Sequence, residues 1–183
     1  MITHILRFLT VKSTRKELHV HDTLLRLSEF KASADDELLT VLADLGEEAQ
    51  VTKLAIQALS HTYVVDRIFA AHLRREEHGY SSANLTDMPT LARLSADIRA
   101  SDREYIEYVW GLGRDQLAER IDFTFTDGNA GSMSREEMLM HVITHGVGHR
   151  GQISAVMLLN SLPPAKDGFA TFLHEAEPMR RAA

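Results

Sequence analysis

The sequence predicts an all-α protein, a four-helix bundle with one short β-hairpin inserted before the last long helix. Three observations carry that expectation. Apolar residues recur at helical spacing in four long segments, and no proline precedes Pro89. The one clear two-residue alternation is Ile121, Phe123 and Phe125, followed by the turn pair Asp127-Gly128. At 183 residues the chain can bury a core of its own, so a single domain over 1–183 is expected.

The first helix is read over 2–30, from Ile2, Ile5, Leu6, Leu9, Leu18, Leu24, Leu25, Leu27 and Phe30. KASADDE (31–37) then reads as a polar break, with Asp35 or Asp36 placed to cap the next helix. The second helix runs from Glu37 to about Glu77, and Gly46 is its weak point, where a kink or short loop is expected. HGYSSANLTDMP (78–89) is a loop rich in turn-forming residues, and the third helix covers 90–113. The hairpin occupies 121–134. Ser134 followed by Glu137 is a capping box that opens the last long helix, which runs to about Asn160 before Pro163-Pro164 stops it. The tail FATFLHEAEPMRR adds one short helix. No internal repeat or low-complexity tract divides the chain. Periodicity leaves the order and handedness of the bundle open.

Composition removes several classes of function. With no cysteine there is no disulfide framework, thiolate zinc knuckle or cysteine nucleophile, so His, Asp or Glu must hold any transition metal. A formal charge of −6 argues against a general nucleic-acid binder, and Arg180-Arg181 is too short for a nucleic-acid arm. No segment approaches the ~18 apolar residues of a membrane span, and no secretory leader is read at the start. A cytoplasmic location, with no membrane and no nucleic-acid partner, is the expectation.

HVITHGVGHRGQIS (141–154) is the stretch that asks for chemistry. On a helix, His145 and His149 lie about 40° apart and about 6 Å along the axis, the geometry by which two imidazoles share an ion. His141 is a further turn back, so a third ligand comes more readily from a neighbouring helix. His61, inside the apolar run AIQALSHTYVVDRIF, is the leading candidate, against the alternative of a hydrogen-bonded core histidine. Gly146, Gly148 and Gly151 each cost up to ~1 kcal/mol against alanine in a helix. They let a substrate or another helix approach, or mark tight packing without chemistry. Asp66 falls about 140° round the helix from His61 and reads as a surface or inter-helix salt-bridge partner rather than a ligand. His19 and His21 read as solvent-facing, His72 and His78 as helix-end cations, and Trp110, Phe123 and Phe125 as core.

HVITHGVGHRGQIS resembles the signature of the DinB/YfiT-like superfamily, whose final helix carries His-x-x-x-His-Arg-Gly-Gln. LSHTYVVDRIFAAHL is similar to that family's second-helix segment, a histidine followed by an acidic residue, arginine, an apolar residue and an aromatic. The likeness covers about residues 55–160, and the family's usual Tyr/Trp-bearing first helix is not found in the first 35 residues. It implies a four-helix bundle, a homodimer, and one divalent ion on His61, His145 and His149. It places His141 outside the ligands, supporting them by hydrogen bonds. Arg150 and Gln152 complete the motif and are grouped with His141 around the ligands, bracing the bundle or a dimer contact, with substrate binding as the alternative.

Three neutral imidazoles leave the charge of such an ion uncompensated, so its open positions favour hydroxide, thiolate or carboxylate. Three protein ligands plus water is the arrangement of catalytic zinc, and the second nitrogen of each ligand ring is expected to meet an acceptor. Zinc or nickel lead the candidates, with iron and manganese also compatible. The resemblance implies metal-dependent hydrolases, thiol-dependent S-transferases and isomerases. The expected enzyme therefore activates water or a small thiol toward a small-molecule substrate, the thiol being a low-molecular-weight one. No catalytic acid or base is identifiable. The alternative is a non-catalytic metal-bound bundle acting in stress response or interaction. An open coordination position beside a cavity separates the two.

Overall fold

The computed structural model describes residues 2–181, with side chains over 20–179. Four long helices are present: α1 (Ile2–Leu45), α2 (Gln50–Arg74), α3 (Leu91–Gly111) and α4 (Arg135–Leu159). A 3-10 turn at Arg114–Gln116 and the antiparallel pair β1 (Arg120–Thr124) and β2 (Ala130–Ser134) lie between α3 and α4. Two short helices, α5 (Phe169–Ala176) and α6 (Pro178–Arg181), close the chain where one was expected. The fold is mostly helical, with a two-stranded sheet placed where the alternation and the turn pair predicted it.

The local signals of the second half operate as read. The Glu137 backbone N–H donates to Ser134 Oγ at 3.1 Å and the Ser134 N–H to Glu137 Oε2 at 2.7 Å, a complete capping box at the start of α4. Gly128 turns the hairpin at φ +88°, where other residues are strained. Thr90 accepts from the Arg93 N–H at 3.3 Å and caps α3.

The first half departs from expectation. No break occurs over 31–37; α1 continues through it and ends at Leu45. The true break is Gly46, at φ +85°, whose N–H returns to the carbonyls of Leu42 and Ala43 at 3.1 and 3.2 Å. The reason lies in the charges. Lys31 and Asp35 are 2% and 3% exposed, so the polar run points inward instead of into solvent. Lys31 Nζ meets Asp35 of α1 at 2.9 Å, Asp66 of α2 at 2.9 Å and Asp102 of α3 at 2.7 Å. Arg150 of α4 meets the same Asp35 at 2.9 Å and Asp167 at 2.9 Å. Asp66 is therefore an inter-helix partner, and a buried one.

Two apolar clusters flank this ionic layer. One gathers Leu24, Phe69, Val109, Met138 and Val142 beneath the hairpin; the other gathers Leu42, Leu59, Leu94, Ile153 and Met157. On α1, α3 and α4 the network residues fall between the members of the two, and on α2 Asp66 sits where the first cluster begins, just after Val65. Other expectations also fail. Trp110 is 74% exposed, and Phe125 is exposed at the hairpin tip, while Phe123 packs on the first cluster. His72 is buried between Phe69 and Phe123, not set out as a helix-end cation. His21 is not solvent-facing, since its Nε2 lies 2.9 Å from the carbonyl of Val109. His19 and the apolar side chains Ile2 to Leu18 lie outside the described side chains.

Candidate metal centre

α2 packs along α4, and this juxtaposition brings His61 across to His145 and His149. One ligand atom from each of the three lies within 4.8 Å of the others. His145 Nε2 and His149 Nε2 are 3.1 Å apart, and the His61 ring centroid is 5.2 and 5.0 Å from theirs. A tetrahedral zinc at its usual bond length would hold two such nitrogens about 3.3 Å apart. The pair therefore already stands near coordination spacing.

His61 has a defined tautomer. Its Nδ1 is 3.0 Å from the Ala83 carbonyl oxygen and 3.1 Å from Asn84 Oδ1. A carbonyl only accepts, so Nδ1 carries the proton and Nε2 keeps a free lone pair. The loop after α2 thus orients the first ligand. Sequence reasoning missed that role, because a backbone carbonyl leaves no residue signature. The same support is absent on α4. The buried Nδ1 atoms of His145 and His149 meet no partner among the described residues, contrary to expectation. The α4 neighbours Gly146 and Gly148 carry no side chain that could accept.

Electrostatics favour free lone pairs. Burial, helped by the nearby His149, His141, His61 and Lys31, pushes His145 down to about 4. Burial and His61 also lower His149, while the adjoining Gln152 acts in the opposite direction. Burial lowers His141 as well. These imidazoles are neutral at pH 7, the state a metal needs. His141 stacks on His145 at 5.4 Å and 20°, beside the three-membered group but not in it. Arg150 turns away from the imidazoles to Asp35 and Asp167. Gly146 is where this arrangement needs a missing side chain. A Cβ there would stand 3.3 Å from both Lys31 Cε and Arg150 Nη1, so the glycine admits the ionic layer behind the histidines. Gly148 and Gly151 face open space.

A cavity of about 350 Å³ opens beside the cluster, and its lining includes His61, His145 and His141 together with Phe69, Met133 and Phe125. The hairpin supplies part of that wall, which the sequence did not foretell.

A family profile described as the DinB family matches residues 20–178. Among solved structures, the chain is similar to a DinB-like protein from Bacillus cereus ATCC 10987, at 16% identity and a TM-score of 0.57. The match covers 79% of this chain and 95% of that one, and at such identity it speaks for the fold alone. No curated protein matches the chain.

Proposed function

The chain belongs to the DinB family, and from that premise we propose a four-helix bundle that holds one divalent metal ion on His61, His145 and His149. One observation carries the reading: three imidazoles from two packed helices bring their ligand atoms within 4.8 Å of one another, and two of them, His61 and His145, line a cavity. The donor set fits an ion. It offers imidazole nitrogens near coordination spacing, those of His145 and His149 uncharged, with the His61 tautomer set by the Ala83 carbonyl. Zinc or nickel suits an all-imidazole site best, with iron or manganese compatible.

Bound there, the ion supplies a Lewis acid that acidifies a coordinated water or thiol. The chain's own residues orient His61, keep His145 and His149 unprotonated at neutral pH and line one side of the site with apolar walls. On this reading the protein is a metalloenzyme of hydrolase or thiol S-transferase type, acting on a small molecule. The cavity favours this over a purely structural ion, because among the described residues no fourth imidazole or carboxylate joins the group to close it. We further place it in the cytoplasm as a homodimer. No described helix is long and apolar enough to cross a membrane, and α4 carries an exposed apolar stripe suited to a second copy.

Protein purified without a nickel column should carry or take up one equivalent of divalent metal per chain. His149→Ala should abolish stoichiometric binding, whereas His141→Ala should weaken it only partly. Undiminished uptake by His61→Ala, measured by elemental analysis, would remove α2 from the site.

A further inference from the structure

The cavity beside the histidines carries chemical information of its own. Its lining includes Val65, Ile68, Phe69 and Met133, and its polar contributions come from imidazoles and Thr126. Among the described residues, no carboxylate, ammonium or guanidinium lines it. The nearby charges of the ionic layer are consumed elsewhere: Lys31 and Asp66 have side chains only 3% and 4% exposed and are paired with each other. A charged group seated against these walls, away from the metal ligands, would lose part of its water without gaining a charged side-chain partner, which disfavours it. An apolar group would lose nothing polar and gain contact with the walls. A volume of about 350 Å³ falls within the range of small-molecule pockets.

We propose that this cavity seats an uncharged, largely apolar arm of the substrate, an aryl or branched-alkyl group, with the reacting polar end directed to His61 and His145. The inference rests on the three-histidine reading for its polar end and on the cavity lining for its apolar arm. Phe125 belongs to the same design. It is 43% exposed at the hairpin tip, packed edge-on to Phe123 at 4.8 Å, and offers an apolar rim where a hydrated side chain would otherwise stand. Thr126 follows it, exposed on the rim, and is the position at which a charge can be introduced without disturbing the core.

The test uses three hydroxamic acids that share one metal-chelating head and differ only in the arm. Calorimetry on the metal-loaded protein should find benzohydroxamic acid at least tenfold tighter than acetohydroxamic acid. It should also find 4-carboxybenzohydroxamic acid at least tenfold weaker than benzohydroxamic acid. Thr126→Lys should shrink that second gap to less than threefold. Equal affinity for the acetyl and benzoyl compounds, or no loss from the carboxylate, overturns the proposal.

A second measurement separates this failure from failure of the metal site. In metal-free protein with 13C-labelled methionine methyls, benzyl alcohol should shift the Met133 signal and leave exposed Met88 in place, and benzoate should shift neither. An unmoved Met133 signal overturns the apolar seat. A shifted Met133 signal in a protein that takes up no metal supports the seat and sinks the metal reading alone.

Discussion

A methyl group at position 146 would have nowhere to go. Its carbon would lie 3.3 Å from Lys31 Cε, and Lys31 is fixed by three carboxylates at 2.7–2.9 Å. A flexible surface lysine would swing aside; this one must shift against the pull of its ion pairs. Gly146→Ala should therefore destabilise the protein by roughly 1–3 kcal/mol through overpacking, despite a gain of up to ~1 kcal/mol in helix propensity. Gly148→Ala meets open space and should show the propensity gain alone, stabilising by roughly 0.5–1 kcal/mol. Urea denaturation of the two variants checks the contrast, and equal stabilisation by both would refute it. The contrast also shows what the helix obtains for its glycines. At 146 the missing side chain makes room for the ionic layer that stands behind His145.

At the scale of the element, α4 presents three faces. Met138, Val142, Ile153 and Met157 enter the core, His145 and His149 face α2, and Met140, Thr144, Val147, Gly151, Ala155 and Leu158 run along the outside. That outer series advances by three or four residues at each step, the spacing of a helix seam. Val147 and Leu158 are 43% and 62% exposed within it. If two copies meet along this stripe, a single charge at its centre should separate them. Val147→Glu is expected to sediment as a monomer at micromolar concentration while keeping its metal equivalent. A dimer that survives both Val147→Glu and Leu158→Glu places the contact elsewhere. The elements also divide by how legible they are. The capping box of α4 and the Asp127-Gly128 turn are contained in a few adjacent residues, so the sequence displays them directly. The i, i+4 histidines are local in the same sense. The approach of His61 depends on how α2 packs against α4, and the Ala83 carbonyl that orients it belongs to a loop with no marker. KASADDE misleads because a charged run reads as solvated, whereas Lys31 and Asp35 find partners on other helices.

Across the whole molecule, one ionic layer ties every long helix to the segment before α5. Its side chains are two cations, Lys31 and Arg150, and four carboxylates, Asp35, Asp66, Asp102 and Asp167. Fully ionised, the layer would hold two more negative than positive charges in a largely buried place. Burial, set against the pull of Lys31, pushes Asp66 up to about 6 and Asp102 up to about 7, so protons relieve part of the excess near neutral pH and more of it in mild acid. Asp102 has an ordinary value of 3.8 in the unfolded chain. Between about pH 4 and pH 7 the native state thus holds a proton that the unfolded state has released. Stability from this group is fully present below that window and is lost as pH rises through it. The raised Asp66 titrates in the same sense up to about 6, and the lowered His145, with His149 and His141, in the opposite sense, so the wild type alone would mix several effects. Asp102→Asn isolates one of them. Asparagine keeps the shape and an oxygen for Lys31 but has no proton to lose, and the histidine contribution is common to both chains. The variant is compared with wild type after a chelator has removed metal. From pH 5 to pH 8 its stability relative to wild type should improve by roughly 1–3 kcal/mol. Denaturation midpoints that stay parallel across this range would mean that Asp102 is ionised throughout and that the layer carries its surplus charge unrelieved.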